Sequence, residues 1–219
     1  MARILIIGAT GGVGARLIPL LAADAHEIHG LHRAPEQAKD LQRQGVTPHG
    51  GDLMEMSEDD YAALVSGMEV VVFSAGAAGS GADRTTEIDG NGPVKLIRAM
   101  EREGVTRLVL VSVFPEAGRD RAPSDGFEHY MACKKRADVA VAASGLDWVI
   151  VRPGTLQDAD GDGMVRAGRA VPYGDVARGN VARLIAEVVA TPALRREAIE
   201  LTDGDTPVAE AVAALRRDG

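Results

Sequence analysis

Short apolar runs alternate with amphipathic segments along most of the chain. The unbroken apolar run 4–7 predicts a strand covered on both faces, and further strands are predicted at residues 27–31, 46–49, 69–73, 106–114, 147–151 and 198–201. Segments of helical composition lie between them, at residues 15–23, 35–44, 57–65, 89–103, 127–144, 176–189 and 207–216. This alternation predicts an α/β fold: one doubly wound parallel sheet with helices on both faces and no linker that would divide it.

Three glycines follow the first predicted strand at a spacing of three residues. Gly8, Gly11 and Gly14 stand between the apolar run 4–7 and the predicted helix 15–23. A helix N-terminus offers unpaired N–H groups and a partial positive charge, and glycine lets a pyrophosphate approach the backbone. Glycine triplets also occur in ordinary turns, so the flanking strand and helix support the interpretation as a dinucleotide site.

Arg33 lies just after the second predicted strand, about where such folds face the adenosine ribose. An acidic residue there would accept a hydrogen bond from the 2′-hydroxyl of NAD. The planar, permanently charged guanidinium suits a 2′-phosphate instead. We therefore expect NADP(H) to be preferred over NAD(H); the alternative is a solvated surface arginine.

Two further strand ends supply candidate contacts for the adenosine. Asp52 can accept from the adenine amino group with Leu53 against the ring, although Asp52 is also typical of a helix cap or turn. The small residues Ser74, Ala75 and Gly76 follow the strand 69–73 and would let backbone approach the coenzyme.

Ser112, Tyr130 and Lys134 form a candidate catalytic group. Ser112 is near the end of the strand 106–114, and Tyr130 and Lys134 are four apart on the next predicted helix, so they share a face. We expect the lysine and a cationic nicotinamide to lower the pKa of the phenol, which could then pass a proton to a carbonyl oxygen. The alternative is a tyrosine packed at a helix edge beside a solvated lysine.

Composition narrows the candidate partners and cofactors. The net charge of −8 disfavours a nucleic-acid partner. Cys133 is the single cysteine, and with His129 one turn away it still lacks two further ligands, so no metal is expected. We find no secretory signal and no run long enough to cross a membrane, so a cytoplasmic protein is expected.

Several motifs together resemble the short-chain dehydrogenase/reductase superfamily. They are GATGGVG at 8–14, GDL at 51–53, the Tyr130-x-x-x-Lys134 spacing and SGLDWVIVRPGTL at 144–156. The chain is most similar to the small atypical NAD(P)-binding group, which includes NmrA-like proteins and the biliverdin/flavin reductase type. The resemblance implies one Rossmann-like domain over residues 1–219, with 154–219 forming a small substrate-side region.

The resemblance also implies positions along the coenzyme. It assigns the phosphates to Gly8, Thr10, Gly11, Gly12, Val13 and Gly14, with Arg33 at the 2′-phosphate. It assigns adenine to Asp52 and Leu53, and the adenosine to Ser74, Ala75 and Gly76. It assigns the nicotinamide end to Ser112, Lys134, Pro153, Gly154 and Thr155. Asn91 is a candidate for the asparagine of the superfamily's active tetrad.

These observations leave three functions open. The first is an NADPH-dependent reductase of a small carbonyl, quinone or flavin-like acceptor, favoured because Tyr130 and Lys134 are retained. The second is a non-catalytic redox sensor that binds NADP(H), and the third is an isomerase or epimerase. The helix 127–144 is apolar enough to pair with a second copy, so a homodimer is an alternative to a buried helix.

Overall fold

The computed structural model describes residues 1–119, 122 and 124–216. The strands are β1 Arg3–Ile7, β2 Glu27–His32, β3 Thr47–Gly50, β4 Val70–Phe73, β5 Arg107–Val111, β6 Asp147–Pro153, β7 Thr155–Gln157, β8 Met164–Gly168, β9 Asp175–Ala177, β10 Glu197–Asp203 and β11 Thr206–Pro207. The helices are α1 Gly14–Ala23, α2 Pro35–Arg43, α3 Glu58–Val65, α4 Ala82–Arg84, α5 Gly92–Glu103, α6 Asp125–Ala143, α7 Arg178–Ala190 and α8 Val208–Leu215, and a π-helical segment, Thr85–Asn91, joins α4 to α5.

One large sheet organises the fold. In the described residues, nine strands are ordered β11-β8-β10-β6-β5-β4-β1-β2-β3, and β7 and β9 form a separate pair. All pairs from β10 to β3 are parallel. The order β3-β2-β1-β4-β5-β6 is that of a Rossmann-like doubly wound sheet, which reverses direction of growth between β1 and β4. A ligand crevice is therefore expected at the carboxyl ends of β1 and β4.

Successive side chains of the central strands lie on opposite faces of the sheet and pack into two apolar cores. Ile4 and Ile6 of β1 pack on one face with α1, α7 and α8, while Leu5 and Ile7 pack on the other with α3, α5 and α6. All four side chains are fully buried. Because both faces are covered, β1 reads as an unbroken apolar run, and burial of each such side chain contributes about 1.5–3 kcal/mol.

The parallel sheet is confirmed, but its far edge differs from expectation. β8 runs antiparallel to both β10 and β11, and neither β8 nor β11 was predicted. β7 and β9 were also missed, because three-residue strands carry no usable periodicity. The predicted strand 106–114 ends at Val111, which leaves Ser112 in the connection beyond it.

The helices agree with the pattern more closely than the loops between them. The predicted helix 89–103 begins as α5 at Gly92, after the π-helical segment. The apolar side of α6 packs in the chain's own core through Ala137 and Val141, and a homodimer stays a prediction.

Within the described ranges, no helix is both long and apolar enough to cross a membrane. Residues 120, 121 and 123 of the predicted loop 115–124 lie outside the described residues.

Candidate functional site

A cavity of about 730 Å³ opens where the carboxyl ends of β1, β2, β4 and β5 meet. It brings together most of the residues that the sequence singled out. The predicted residues that line it are Gly8, Thr10, Gly11, Gly12, Val13, Arg33, Asp52, Leu53, Ser74, Ala75, Gly76, Ser112, Tyr130 and Lys134.

The glycine turn is shaped by close backbone contacts. Gly8 has a φ of +98°, and a Cβ there would lie 2.6 Å from the amide nitrogen of Ala75. A Cβ on Gly14 would lie 2.2 Å from the carbonyl oxygen of Gly8. Gly14 is buried and does not line the cavity; it instead lets the first turn of α1 pack beneath the loop. The glycines therefore place bare backbone at the cavity wall beside the start of a helix.

Arg33 extends from the end of β2 into the cavity rim. Its backbone N–H donates to Gln37 Oε1 at 3.2 Å, and Gln37 Nε2 donates to Thr10 Oγ1 at 3.4 Å. Gln37 thus ties the Arg33 loop to the glycine turn. Among the described residues, no carboxylate lies within ion-pair distance of the Arg33 guanidinium, which is exposed.

Asp52 is a turn residue at the cavity wall, and its contact with adenine stays a prediction. Its Oδ1 accepts from the backbone N–H of Met54 at 3.0 Å, as a turn residue does, and its side chain also lines the cavity. Leu53 is half-buried beside it. Ser74 follows β4 directly, and its N–H donates to the carbonyl of Ile7 at 2.8 Å, which joins the ends of β4 and β1.

Tyr130 and Lys134 share the face of α6 that meets β5, as their spacing predicts. Lys134 is buried; its Nζ donates to the carbonyl of Val111 at 3.1 Å and lies 5.9 Å from the centre of the Tyr130 ring. Ser112 is also buried, and its Oγ has no hydrogen-bond partner in the described residues. A buried hydroxyl left unpaired costs free energy, so this atom is suited to meet a ligand.

Asp89 is a charged member of this group that the sequence analysis missed. It lies in the π-helical segment, is 1% exposed, and accepts from the N–H of Ala77 through Oδ2 at 3.0 Å. Its Oδ1 lies 3.2 Å from Lys134 Nζ, in an ion pair whose angles fall short of a hydrogen bond. The candidate Asn91 lies elsewhere: its side chain contacts Glu87 and Arg136.

Lys134 does not give the expected lowering of the Tyr130 pKa through the protein's own charges. Burial raises the pKa of Tyr130, and the carboxylates of Asp89 and Asp138 raise it further. The charge of Lys134 is balanced by Asp89, so it does not dominate at the phenol. Tyr130 is therefore held as a neutral phenol, the form that can donate a proton.

A second cavity, of about 470 Å³, adjoins the first. Ser112, Phe127, Tyr130 and Leu156 line both, so they form the shared wall. The predicted residues Pro153, Gly154 and Thr155 line the second cavity and not the first. Among the described residues, its lining carries hydroxyl and apolar side chains without a formal charge.

The first cavity is electropositive although the chain is acidic. Its described lining carries four cationic side chains, Arg33, Arg84, Lys134 and Arg178, against the carboxylates of Asp52 and Asp89. Sequence reasoning missed Arg84 and Arg178 because neither follows a predicted strand. This local excess of positive charge favours a ligand that carries several phosphates.

Comparison with known proteins identifies the family of this site. The model of the NAD(P)H-binding family matches residues 8–192. The chain belongs to this NAD(P)H-binding family. The cavity at the carboxyl ends of the strands has exposed backbone at a helix start and a cationic rim, which suit a dinucleotide.

Relatives of this NAD(P)H-binding protein carry different names. The Bacillus subtilis protein YhfK, named as an uncharacterized sugar epimerase, is 33% identical over 97% of this chain and 100% of its own length. A Bacillus halodurans protein named as an NAD-dependent epimerase/dehydratase is 32% identical, with a TM-score of 0.89 over 98% of this chain and 100% of that chain. ChuY, named as an anaerobillin reductase from Escherichia coli O157:H7, is 25% identical, with a TM-score of 0.75 over 92% of this chain and 97% of that chain.

Proposed function

We propose that the chain is an NADPH-dependent reductase that acts on a small carbonyl, quinone or flavin-like acceptor. The observation that carries this proposal is the wall shared by the two cavities. Ser112 and Tyr130 stand in it, with one side towards the candidate coenzyme cavity and the other towards the second cavity. An acceptor in the second cavity would have both hydroxyl groups within reach of its oxygen.

The chain's residues would then divide the work of the reaction. The coenzyme, when bound, would be the source of hydride for a carbonyl acceptor. Tyr130 would donate the phenol proton to the acceptor oxygen. Ser112 donates a hydrogen bond to the same oxygen as negative charge develops on it. Lys134, held by Asp89 and the Val111 carbonyl, would contact the nicotinamide ribose, while Asp89 balances its charge at the phenol.

NADPH is proposed as the electron donor because Arg33 is free of described carboxylates and its loop is ordered by Gln37. A guanidinium makes paired, charge-assisted hydrogen bonds with a phosphate, worth about 1.5–3 kcal/mol. Replacing Arg33 with Ala should therefore weaken NADPH by at least about tenfold and leave NADH nearly unchanged.

An epimerase is the second candidate, and the names of the Bacillus relatives favour it. An epimerase of this type would return the hydride to its substrate, so the coenzyme would not be consumed. A redox sensor would bind the coenzyme without any turnover. Net oxidation of NADPH therefore distinguishes the reductase from both alternatives.

The test follows NADPH absorbance with a panel of aldehydes, quinones and flavins, for the wild type and Tyr130→Phe. A reductase gives turnover with at least one class, and loss of the positioned phenol should lower kcat for an aldehyde by about 10²–10⁴-fold. KM should change little, because the phenyl ring is kept. Coenzyme affinity measured by calorimetry controls for folding of the variant.

Binding of NADPH without turnover of any acceptor would contradict the reductase. Equal kcat for wild type and Tyr130→Phe would remove Tyr130 from the mechanism. Isomerised sugar in product analysis by NMR, without NADPH consumption, would support the epimerase instead.

A further inference from the structure

Arg178 lies across the glycine turn although it comes much later in the chain. It is the first residue of α7 and lines the coenzyme cavity. A Cβ built on Gly12 would lie 2.6 Å from Arg178 Cδ and 2.8 Å from its Nε. The arginine stem therefore occupies the space next to Gly12 and places its charge beside the turn.

The start of α7 is fixed against an acidic turn, Asp158 to Gly163. The N–H of Gly179 donates to the carbonyl of Ala159 at 3.0 Å. A Cβ on Gly179 would lie 1.7 Å from the carbonyl oxygen of Asp160, so the two segments touch through backbone. The backbone of Arg178 is thus held in place, and only its side chain is left to move.

The same acidic turn forms closer ion pairs with Arg16 than with Arg178. Arg16 of α1 donates from Nε to Asp160 at 2.8 Å, pairs with Asp158 at 3.1 Å, and donates from Nη1 to the carbonyl of Gly12 at 3.0 Å. Among the described residues, Arg178 makes one long ion pair, with its Nη1 4.0 Å from Asp158 Oδ1. The Asp158 side chain is 80% exposed, so its attraction favours the paired over the unpaired position of Arg178 by about fivefold at most. Arg16 is fully engaged, while Arg178 is available.

We propose that Arg178 is a coenzyme-binding residue that donates to the diphosphate of the bound dinucleotide and closes over it from α7. A diphosphate carries two negative charges and accepts paired hydrogen bonds from a guanidinium, so it outcompetes the single exposed carboxylate of Asp158. The proposal rests on the NAD(P)H site and not on the identity of the acceptor.

The test measures dissociation constants by calorimetry for Arg178→Met, which removes the charge and keeps the stem. Arg183→Met is the matched control, because Arg183 is exposed on the same helix and does not line the coenzyme cavity. The ligands are NADP⁺ and ADP-ribose, which has the diphosphate and lacks the 2′-phosphate. Arg178→Met should weaken both ligands by about 10- to 100-fold, and Arg183→Met should change neither.

Two further variants separate a diphosphate contact from other effects. Arg33→Met should weaken NADP⁺ and leave ADP-ribose unchanged, whereas Arg178→Met should weaken both. Arg178→Lys keeps a charge and should recover part of the affinity. If Arg178→Met binds ADP-ribose like the wild type, the proposal is overturned. A second contrary result is that Arg178→Met lowers both the affinity and the melting temperature, with neither restored in Arg178→Lys. In that case the role of Arg178 is structural, and the proposal is again overturned.

Discussion

Asp89 is the buried counter-charge in the group formed by Ser112, Tyr130 and Lys134. It provides a buried counter-charge to Lys134 and, through Ala77, fixes the loop that follows β4. The carboxylate also lies near Tyr130, where it disfavours the phenolate. One residue therefore connects the coenzyme loop, the lysine and the candidate proton donor.

Replacing Asp89 with Asn should lower the pKa of Tyr130 towards its ordinary value. The amide oxygen can still accept from Ala77, but the negative charge that opposes phenol ionisation is gone. Lys134 then faces the phenol without its counter-ion and favours the phenolate. The measurement is an alkaline ultraviolet titration of tyrosine ionisation in the wild type and Asp89→Asn.

The chain has three tyrosines, so each titration is repeated in a Tyr130→Phe background. The difference that Asp89→Asn makes to the titration curve should disappear in that background. A curve unaffected by Asp89→Asn, or a difference that persists without Tyr130, would contradict the electrostatic role of Asp89.

Residues that follow a strand, and the pair Tyr130 and Lys134 on one helix face, could be placed at the cavity from sequence, whereas Asp89 and Arg178 could not. Gly8, Arg33, Asp52 and Ser74 line the cavity because parallel strands end at one edge. Asp89 reaches the site from a π-helical segment, whose register has no simple sequence signal. Arg178 arrives through the packing of α7 on α1, a contact between distant parts of the chain.

At the scale of elements, the sequence pattern predicted the central strands within two residues at each end, except that β5 ends three residues before the predicted 114. It failed for β8, whose short apolar run is interrupted by Arg166 and ends in glycine, and for β11, which is only the two residues Thr206 and Pro207. Residues 82–88 were assigned to no element from the sequence, and the structure places α4 and the start of the π-helical segment there. Tertiary pairing, and not local preference, sets these elements.

Arg107 stands in a strand, but its side chain supports the end of a helix, which the strand pattern did not predict. It begins β5, yet its guanidinium is buried and donates to the carbonyls of Leu194 at 2.7 Å and Val188 at 2.9 Å. Burial lowers the pKa of Arg107. The last carbonyls of a helix lack intrahelical partners, so this side chain completes the end of α7.

Arg107→Met should destabilise the fold by about 1–3 kcal/mol, because it leaves the buried Leu194 carbonyl without a donor and leaves the Val188 carbonyl with the N–H of Thr191 alone. The measurement is urea unfolding, with a lower midpoint and an unchanged slope. Arg195→Met is the matched control: Arg195 makes an exposed pair with Asp147 at 3.4 Å, worth about 0–1 kcal/mol. Equal losses in the two variants would show that the guanidinium does not support α7.

At the scale of the whole molecule, early and late parts of the chain share one core and one cavity. Leu17 of α1, Val181 of α7 and Val212 of α8 belong to the same apolar cluster. The cavity likewise joins Gly8 to Leu156 and Arg178. Residues 154–216 are thus packed into the unit that would hold the coenzyme, and the chain should unfold as one.

A thermal experiment tests whether the chain unfolds as one unit. NADP⁺ at about a hundred times its Kd should stabilise the native state by about 2.7 kcal/mol, and raise the melting temperature by about 5–11 °C for a chain of this length. Because both halves contribute to core and cavity, a single calorimetric transition should move as a whole. Inorganic phosphate at equal ionic strength, which lacks the dinucleotide, should produce a much smaller shift. Two transitions, of which only the first moves with NADP⁺, would mean that the segment carrying Arg178 unfolds independently of the site it is proposed to close.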